Sequence, residues 1–244
     1  MIQKKYLAQN FGQAAKTYQQ YSFIQDLAAD ILLNYILIKN PKNILELGCG
    51  PGNFTKKLAN KFSEAKVTAI DISKEMLEVA MLEVPKSDLN RFKFIQADAE
   101  TFLADPEEKF DLIISNATLQ WLNMVKQKGY FAVSMFGPKT FKELAEVLAE
   151  ENIKIAAQYF KDLAAYQQIF AEGKETFIEK EYPSLLDLLK YIKNTGTKHH
   201  QKSLIKGLWT KKKVEKLESK YLARFGKIKV TYHLIFARGH SDRT

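Results

Sequence analysis

The run Ile44-Leu45-Glu46-Leu47-Gly48-Cys49-Gly50-Pro51-Gly52 passes from an apolar strand pattern straight into three glycines at alternate positions. Glycines there let the backbone turn sharply and approach a ligand without a Cβ clash. The helix predicted from about Asn53 offers unpaired N–H groups at its start. A dinucleotide turn would read Gly-x-Gly-x-x-Gly and cradle a pyrophosphate. Here the third glycine comes one residue early, and Glu46 stands two residues ahead of the first. An acid there repels a pyrophosphate and attracts an ammonium group, which turns the reading from NAD toward S-adenosylmethionine. Asp71 follows about 20 residues past the glycines, where a carboxylate accepts from both ribose hydroxyls. Asp98 and Ala99 then bracket the adenine, with Asp98 accepting from its exocyclic amine. Ile72 and Met76 give the adenine an apolar wall, and Asn116 sits beside the sulfonium and its methyl.

Taken singly, each of these residues has a plainer role. A Gly-x-Gly-x-Gly run serves as a turn, an aspartate at a strand end as an N-cap, and Met76 as core. Together, the glycine loop, Asp71, Asp98 and Asn116 end successive predicted strands on the carboxyl edge. That edge is where open α/β sheets bind ligands.

The elements that must position them follow from periodicity. Asn43–Leu47, Val67–Asp71, Phe92–Ile95, Leu112–Ser115 and Tyr130–Phe136 are short apolar runs. Thr55, Leu58, Ala59 and Phe62 mark one intervening helix, and Met76, Leu77, Ala80 and Met81 another. Phe141, Leu144, Ala145 and Leu148 mark the helix after the fifth strand. Strand and helix alternating at this spacing predict a parallel sheet with helices on both faces. Residues 1–40 read as two amphipathic helices. Phe11, Ala14, Ala15 and Tyr18 form one apolar face; Ile24, Leu27, Ala28, Ile31, Leu32 and Tyr35 form the next. Glu151–Gly173 reads as polar helix, Glu175–Tyr182 as strand, Leu185–Ile192 and Lys211–Phe225 as helices, and Val230–Ala237 as a last strand. The expected organisation is a single domain, with a helical lid (1–40), a cofactor-binding core (41–150), a helical insertion holding one strand (151–225) and a final strand with its tail (226–244).

One connection is too short. A parallel crossover usually takes a dozen or more residues, mostly helix. Asn116–Gly129 must also hold the loop from Asn116 to Asn123. Either the crossover is drastically shortened or a segment is absent; if it is absent, the fourth and fifth strands lose the helix that covers one sheet face, which favours self-association or reduced stability.

The chain has 244 residues and a mass of 28.0 kDa, enough to bury a large core unaided. Cys49 is the only cysteine, so no intrachain disulfide is possible. Residues 1–21 are too polar for a secretory signal, and no apolar run approaches the roughly 20 residues of a membrane helix. A cytoplasmic location without membrane attachment is therefore expected. Four histidines and one cysteine argue against a zinc site. The formal charge of +9 calls for an acidic partner, whether nucleic acid, anionic membrane or acidic protein.

Glu46-Leu-Gly-Cys-Gly-Pro-Gly, Ala69-Ile-Asp71-Ile-Ser and Gln96-Ala-Asp98-Ala-Glu resemble the motifs of class I S-adenosylmethionine-dependent methyltransferases. Phe11-Gly-Gln-Ala-Ala-x-x-Tyr18, Ser115-Asn-Ala-Thr-Leu-Gln-Trp121, Leu189-Lys-Tyr-Ile-Lys-Asn-Thr-Gly196 and Val230-Thr-Tyr-His-Leu narrow the resemblance. They are similar to the malonyl-[acyl-carrier protein] O-methyltransferase family of biotin synthesis. The resemblance implies a Rossmann-like sheet, S-adenosylmethionine as cofactor, and a methyl ester formed on the free carboxyl of malonyl-acyl carrier protein. The chain departs from the family in two places. It nearly lacks the helix between Trp121 and the fifth strand. It also carries Gln158-Tyr159-Phe160 where some members have an arginine ahead of a phenylalanine.

Methyl transfer from a sulfonium is an in-line displacement, so alignment and exclusion of water dominate. A carboxylate nucleophile needs no general base, since it is ionised near neutral pH. Tyr18, Trp121 and His199, with Asn116, are the candidates for the reacting centre. Tyr21, Gln120 and His200 are further candidates on the acceptor side. Core packing is the plainer role of Tyr18, and simple exposure that of His199. Lys190, Lys193, Lys198, Lys202, Lys206 and Lys211–Lys213 cluster near the C-terminus, either as a solvated face or as the dock for acidic acyl carrier protein. Nucleic acid is the rival partner, but no recognition module accompanies the lysines. The alternatives are a methyltransferase for another small acid or a quinone precursor, and a basic cofactor-binding module without catalysis.

Overall fold

The computed structural model describes residues 4–15, 17–104, 109–122, 129–195 and 210–241. Strands β1 (Asn43–Leu47), β2 (Lys66–Asp71), β3 (Phe92–Gln96), β4 (Leu112–Asn116) and β5 (Gly129–Phe136) are parallel where they pair. β6 (Glu172–Glu181) and β7 (Lys229–Ser241) complete one seven-stranded sheet of order β3-β2-β1-β4-β5-β7-β6. β7 runs antiparallel to both of its neighbours. The strand order reverses between β1 and β4, and a crevice opens at such a switch point. β1 is buried at four of its five positions, which is why it reads as a continuous apolar run rather than an alternating one. β6 is the opposite case. Glutamate and lysine fill most of this edge strand, and charge there blocks pairing with another sheet.

Helices cover both faces. On one lie α2 (Phe23–Tyr35), α3 (Asn53–Lys61), α6 (Lys142–Ala149), α8 (Leu185–Asn194) and α9 (Lys211–Phe225), packed around Ile44, Val67, Ile114 and Tyr232. α2 rests on β4, β5 and β7, and α9 on α6 and α8. α4 (Lys74–Glu83) packs on β2 and β3, and α1 (Lys4–Ala14) packs on α4. The other face carries α5 (Ala99–Ala104), a 3-10 turn at Leu119–Trp121, and α7 (Leu163–Gln167).

Two expectations are corrected. Glu151–Gly173 is not a continuous helix; it holds a 3-10 turn at Ala156–Tyr159 and the five-residue α7, and then enters β6. Asp162 caps α7 by accepting from the Ala165 N–H at 3.0 Å. Nor is the face beneath the short β4–β5 connection left bare. Phe131, Val133 and Met135 are fully buried. Tyr166 and Phe170, from the segment read as polar helix, join Leu119 in their cluster. The Phe131 and Phe170 rings lie 5.7 Å apart. A later part of the chain covers this face of β5.

Among the described residues, no helix is long and apolar enough to cross a membrane.

Candidate active site

β1 delivers Glu46 to the face beneath α3, and the chain then turns at Gly48–Gly52. Gly50 has φ +55, and a Cβ added there meets nothing within 4 Å. Its missing side chain leaves open space at the cavity wall. Gly52 serves another purpose. It caps α3 with φ +90, and a Cβ there would lie 2.9 Å from the Ala80 Cα. It brings α3 against α4 and, unlike Gly48 and Gly50, does not line the cavity.

Asp71, at the end of β2, is buried. Its Oδ2 accepts from the Gly50 N–H at 2.9 Å and its Oδ1 from the Ser73 N–H at 2.8 Å. These bonds, with a third from the Ile72 N–H, tie the glycine loop to the neighbouring strand and still leave the carboxylate acceptor capacity. Burial pushes the Asp71 carboxyl up, against the pull of those N–H donors. Glu46 is 1% exposed, and its Oε2 has no hydrogen-bond partner among the described residues. Burial pushes its carboxyl up to about 8; Thr55 draws it down and the Asp71 charge raises it further. Such a group requires a cation or a donor to be at ease when ionised.

Glu46, Gly48, Gly50, Asp71, Ile72, Met76, Asp98, Ala99, Asn116, Tyr18 and Trp121 all line one cavity, although they come from distant parts of the chain. Asp98 accepts from the Glu100 N–H at 2.9 Å, as an N-cap does, and also pairs with Lys4 at 2.5 Å. Lys4 reaches Glu100 as well, at 2.7 Å, and so ties α1 to the start of α5. Asn116 is held at both ends of its amide. Its Nδ2 donates to the Gln25 carbonyl at 3.0 Å, and its Oδ1 accepts from Ser134 Oγ at 2.5 Å. Tyr18 stands on a 3-10 turn at Tyr18–Tyr21, and burial raises its hydroxyl well above the tyrosine range, so it remains a donor. Trp121 meets Phe160 edge-on at 5.2 Å. Cys49 is buried and its thiol is pushed up, so it is no thiolate nucleophile.

Two candidates among the described residues lie elsewhere. Tyr21 packs against Tyr191 at 5.9 Å. Gln120 donates back to the Ala117 carbonyl at 2.7 Å instead of lining the cavity mouth. His199 and His200 lie outside the described residues, as do Lys198, Lys202 and Lys206.

Sequence reasoning missed Gln25. It is buried on α2 and lines the cavity, where its side chain is a hydrogen-bond neighbour of the Tyr18 hydroxyl. The signal was a polar residue inside the buried stripe of Ala28, Ala29 and Leu32. Gln25 and Trp121 also line a second, mostly apolar cavity of about 680 Å³. It lies between the end of β5, α6, α8 and the turn at Ala156–Tyr159, and its wall includes Lys154, Lys190 and Lys193.

The cavity has features suited to a nucleoside cofactor with a cationic end: a buried carboxylate oxygen without a partner among the described residues, glycine backbone and apolar wall. Comparisons with known proteins agree with that chemistry. Residues 38–221 match the family described as methyltransferase domain. The malonyl-[acyl-carrier protein] O-methyltransferase 1 of Ilyobacter polytropus is 34% identical over 97% of this chain and 94% of its own. The corresponding enzyme of Acetivibrio thermocellus is 30% identical over 97% and 93%. Two solved structures share the fold. The YcgJ protein of Bacillus subtilis has a TM-score of 0.58 at 16% identity, covering 89% of this chain and 99% of its own. A phosphoethanolamine N-methyltransferase 2 of Haemonchus contortus, in complex with S-adenosyl-L-methionine, has a TM-score of 0.52 at 16% identity, covering 96% and 57%. A Rossmann-like sheet alone would leave the chemistry open, but a third of the residues shared along almost the whole length does not: the chain belongs to the methyltransferase domain family and, within it, to the malonyl-[acyl-carrier protein] O-methyltransferases.

Proposed function

We propose that this protein transfers the methyl group of S-adenosylmethionine to the free carboxyl of malonyl-acyl carrier protein, forming a methyl ester. The observation that carries the reading is the match to relatives of that one activity over 97% of the chain, well beyond the glycine-loop core. The cavity fits the cofactor on its own terms. A buried, unpartnered Glu46 oxygen suits the ammonium of its amino-acid end, and the open space beyond Gly50 admits its close approach. When bound, the cofactor supplies an activated methyl on a sulfonium.

The protein's own residues do the rest. Asp71 accepts from the ribose hydroxyls with the acceptor capacity that its backbone N–H partners leave free. Ile72 and Met76 flank the adenine, with Ala99 and Asp98 at its edge. Asn116, fixed by Gln25 and Ser134, marks the place where nucleophile and methyl align. The Tyr18 hydroxyl donates a hydrogen bond to the acceptor carboxylate, and Trp121 shields the reacting atoms from water. An ionised acceptor requires no base, so the protein holds it in line without moving a proton. The carrier protein's arm enters through the second cavity, past Lys154, Lys190 and Lys193. The exposed lysines of α8 and α9 face its acidic surface.

Incubation with S-adenosylmethionine and malonyl-acyl carrier protein should add one methyl to the carrier protein, read by mass spectrometry. Acetyl-acyl carrier protein, which lacks the free carboxyl, should gain none. Equal gain on both, or on neither, would remove the reading.

A further inference from the structure

The two cavities meet at Gln25 and Trp121, which line both. Gln25 is 8% exposed, and its Oε1 is buried with no hydrogen-bond partner among the described residues. Its side chain is a hydrogen-bond neighbour of the Tyr18 hydroxyl, and its backbone carbonyl accepts from Asn116 Nδ2 at 3.0 Å. α2 is thereby fixed to the end of β4, and the side chain stands at a set place between the cavities. A buried acceptor without a donor is costly, and such a group in a binding site points to a ligand that brings the donor. The cofactor's ammonium, ribose hydroxyls and adenine amine are taken by Glu46, Asp71 and Asp98 in the proposed reading, and methyl and malonyl groups bring no donor. A malonyl carboxylate placed at Asn116 has only two further carbons before its thioester sulfur. The first N–H along the substrate is therefore the amide two carbons beyond that sulfur, in the arm that leads into the second cavity.

We propose that Gln25 is a specificity residue for the thioester arm, its carbonyl oxygen accepting the arm's first amide N–H at the junction of the two cavities. The inference rests on the malonyl-thioester reading and names the part of the substrate that Gln25 recognises. It commits the acceptor to a class: ω-carboxyacyl thioesters whose arm carries a secondary amide two carbons from sulfur. Simple alkyl thioesters and free dicarboxylic acids lack that donor. A site built to bond an N–H discriminates against an analogue without one, because its own polar group is left unpaired.

The test compares two small substrates of similar size, the malonyl thioester of N-acetylcysteamine and malonyl S-pentyl thioester. The ratio of their kcat/KM values is read in wild type, Gln25→Leu and Gln25→Glu. A ratio taken within one protein does not depend on how much of that protein is folded. Wild type should favour the amide-bearing thioester about tenfold, the scale of one hydrogen bond. Gln25→Leu should bring the ratio close to one, and Gln25→Glu, which keeps an acceptor oxygen, should restore a preference. Methylation of both thioesters at equal rates by wild type, or an unchanged ratio in Gln25→Leu, overturns the role of Gln25 while leaving the function standing. Failure of wild type to methylate either thioester or malonyl-acyl carrier protein overturns the function, and this inference with it.

Discussion

At the scale of single residues, Glu46 makes the sharpest statement. Its folded carboxyl stands near 8 instead of 4.5, so ionising it costs stability in the ligand-free protein. A raised folded value means that this contribution is fully present below about pH 4.5 and is lost as pH rises toward 8. Glu46→Gln should therefore flatten the fall in Tm of the ligand-free protein between those limits. Binding S-adenosylhomocysteine, which brings an ammonium group, should ionise Glu46 and release a proton near neutral pH. Calorimetry in buffers of different ionisation enthalpy measures this, and Glu46→Gln should abolish it. Asp71→Ala should weaken the same ligand by about 1.5–3 kcal/mol, as for a charge-assisted hydrogen bond. The glycines should separate. Alanine in a left-handed conformation costs about 1–2 kcal/mol at either site. Gly52→Ala adds the clash with Ala80 and should lower Tm further, whereas Gly50→Ala should chiefly lower ligand affinity. The sequence made most of this set legible because each member ends a strand, and strand ends share one edge. The division of labour between Gly50 and Gly52 was not legible, since it depends on how α3 meets α4. Gln25 escaped because nothing in the sequence says that two cavities meet beside it.

Elements tell a similar story. The parallel strands were legible because burial on both faces makes them continuous apolar runs. α7 was not, because five residues are too few to set a helical period. Its function as a cover depends on Tyr166 and on Phe170 just beyond it meeting Phe131 of β5, contacts between residues that are not neighbours in sequence. That cover carries a prediction. Phe170→Ala should cost about 3–5 kcal/mol of unfolding free energy, measured by denaturant titration, and should expose the β4–β5 face. A near-neutral effect would mean that Phe170 does not cover that face. A second joint lies on the opposite face. Glu143, buried on α6, accepts from the Thr231 N–H at 2.8 Å and its hydroxyl at 2.6 Å. Glu143→Ala leaves that N–H unpaired and should cost about 1–3 kcal/mol.

For the molecule as a whole, charge and fold divide the work. Parallel strands bring the cavity-lining residues to one edge, while the formal charge of +9 is, on the proposed function, the feature that would steer an acidic carrier. Exposed charges are screened over about 8 Å at physiological ionic strength. Added salt should therefore lower kcat/KM for malonyl-acyl carrier protein through the association rate. A small malonyl thioester should change much less. Reversing Lys212 and Lys213, exposed on α9 and outside both cavities, to Glu should reproduce the salt effect without altering cofactor affinity, and equal loss on both substrates would mean that these lysines act through the fold instead of through encounter. The central claim concerns where the methyl goes, and one labelling experiment tests it directly. Malonyl-acyl carrier protein is incubated with the protein and S-adenosylmethionine carrying a labelled methyl, then treated with mild alkali. An ester on the malonyl carboxyl predicts one label per carrier protein, released by alkali as methanol. Label that resists alkali, or none in a protein that still binds S-adenosylhomocysteine, would contradict the account.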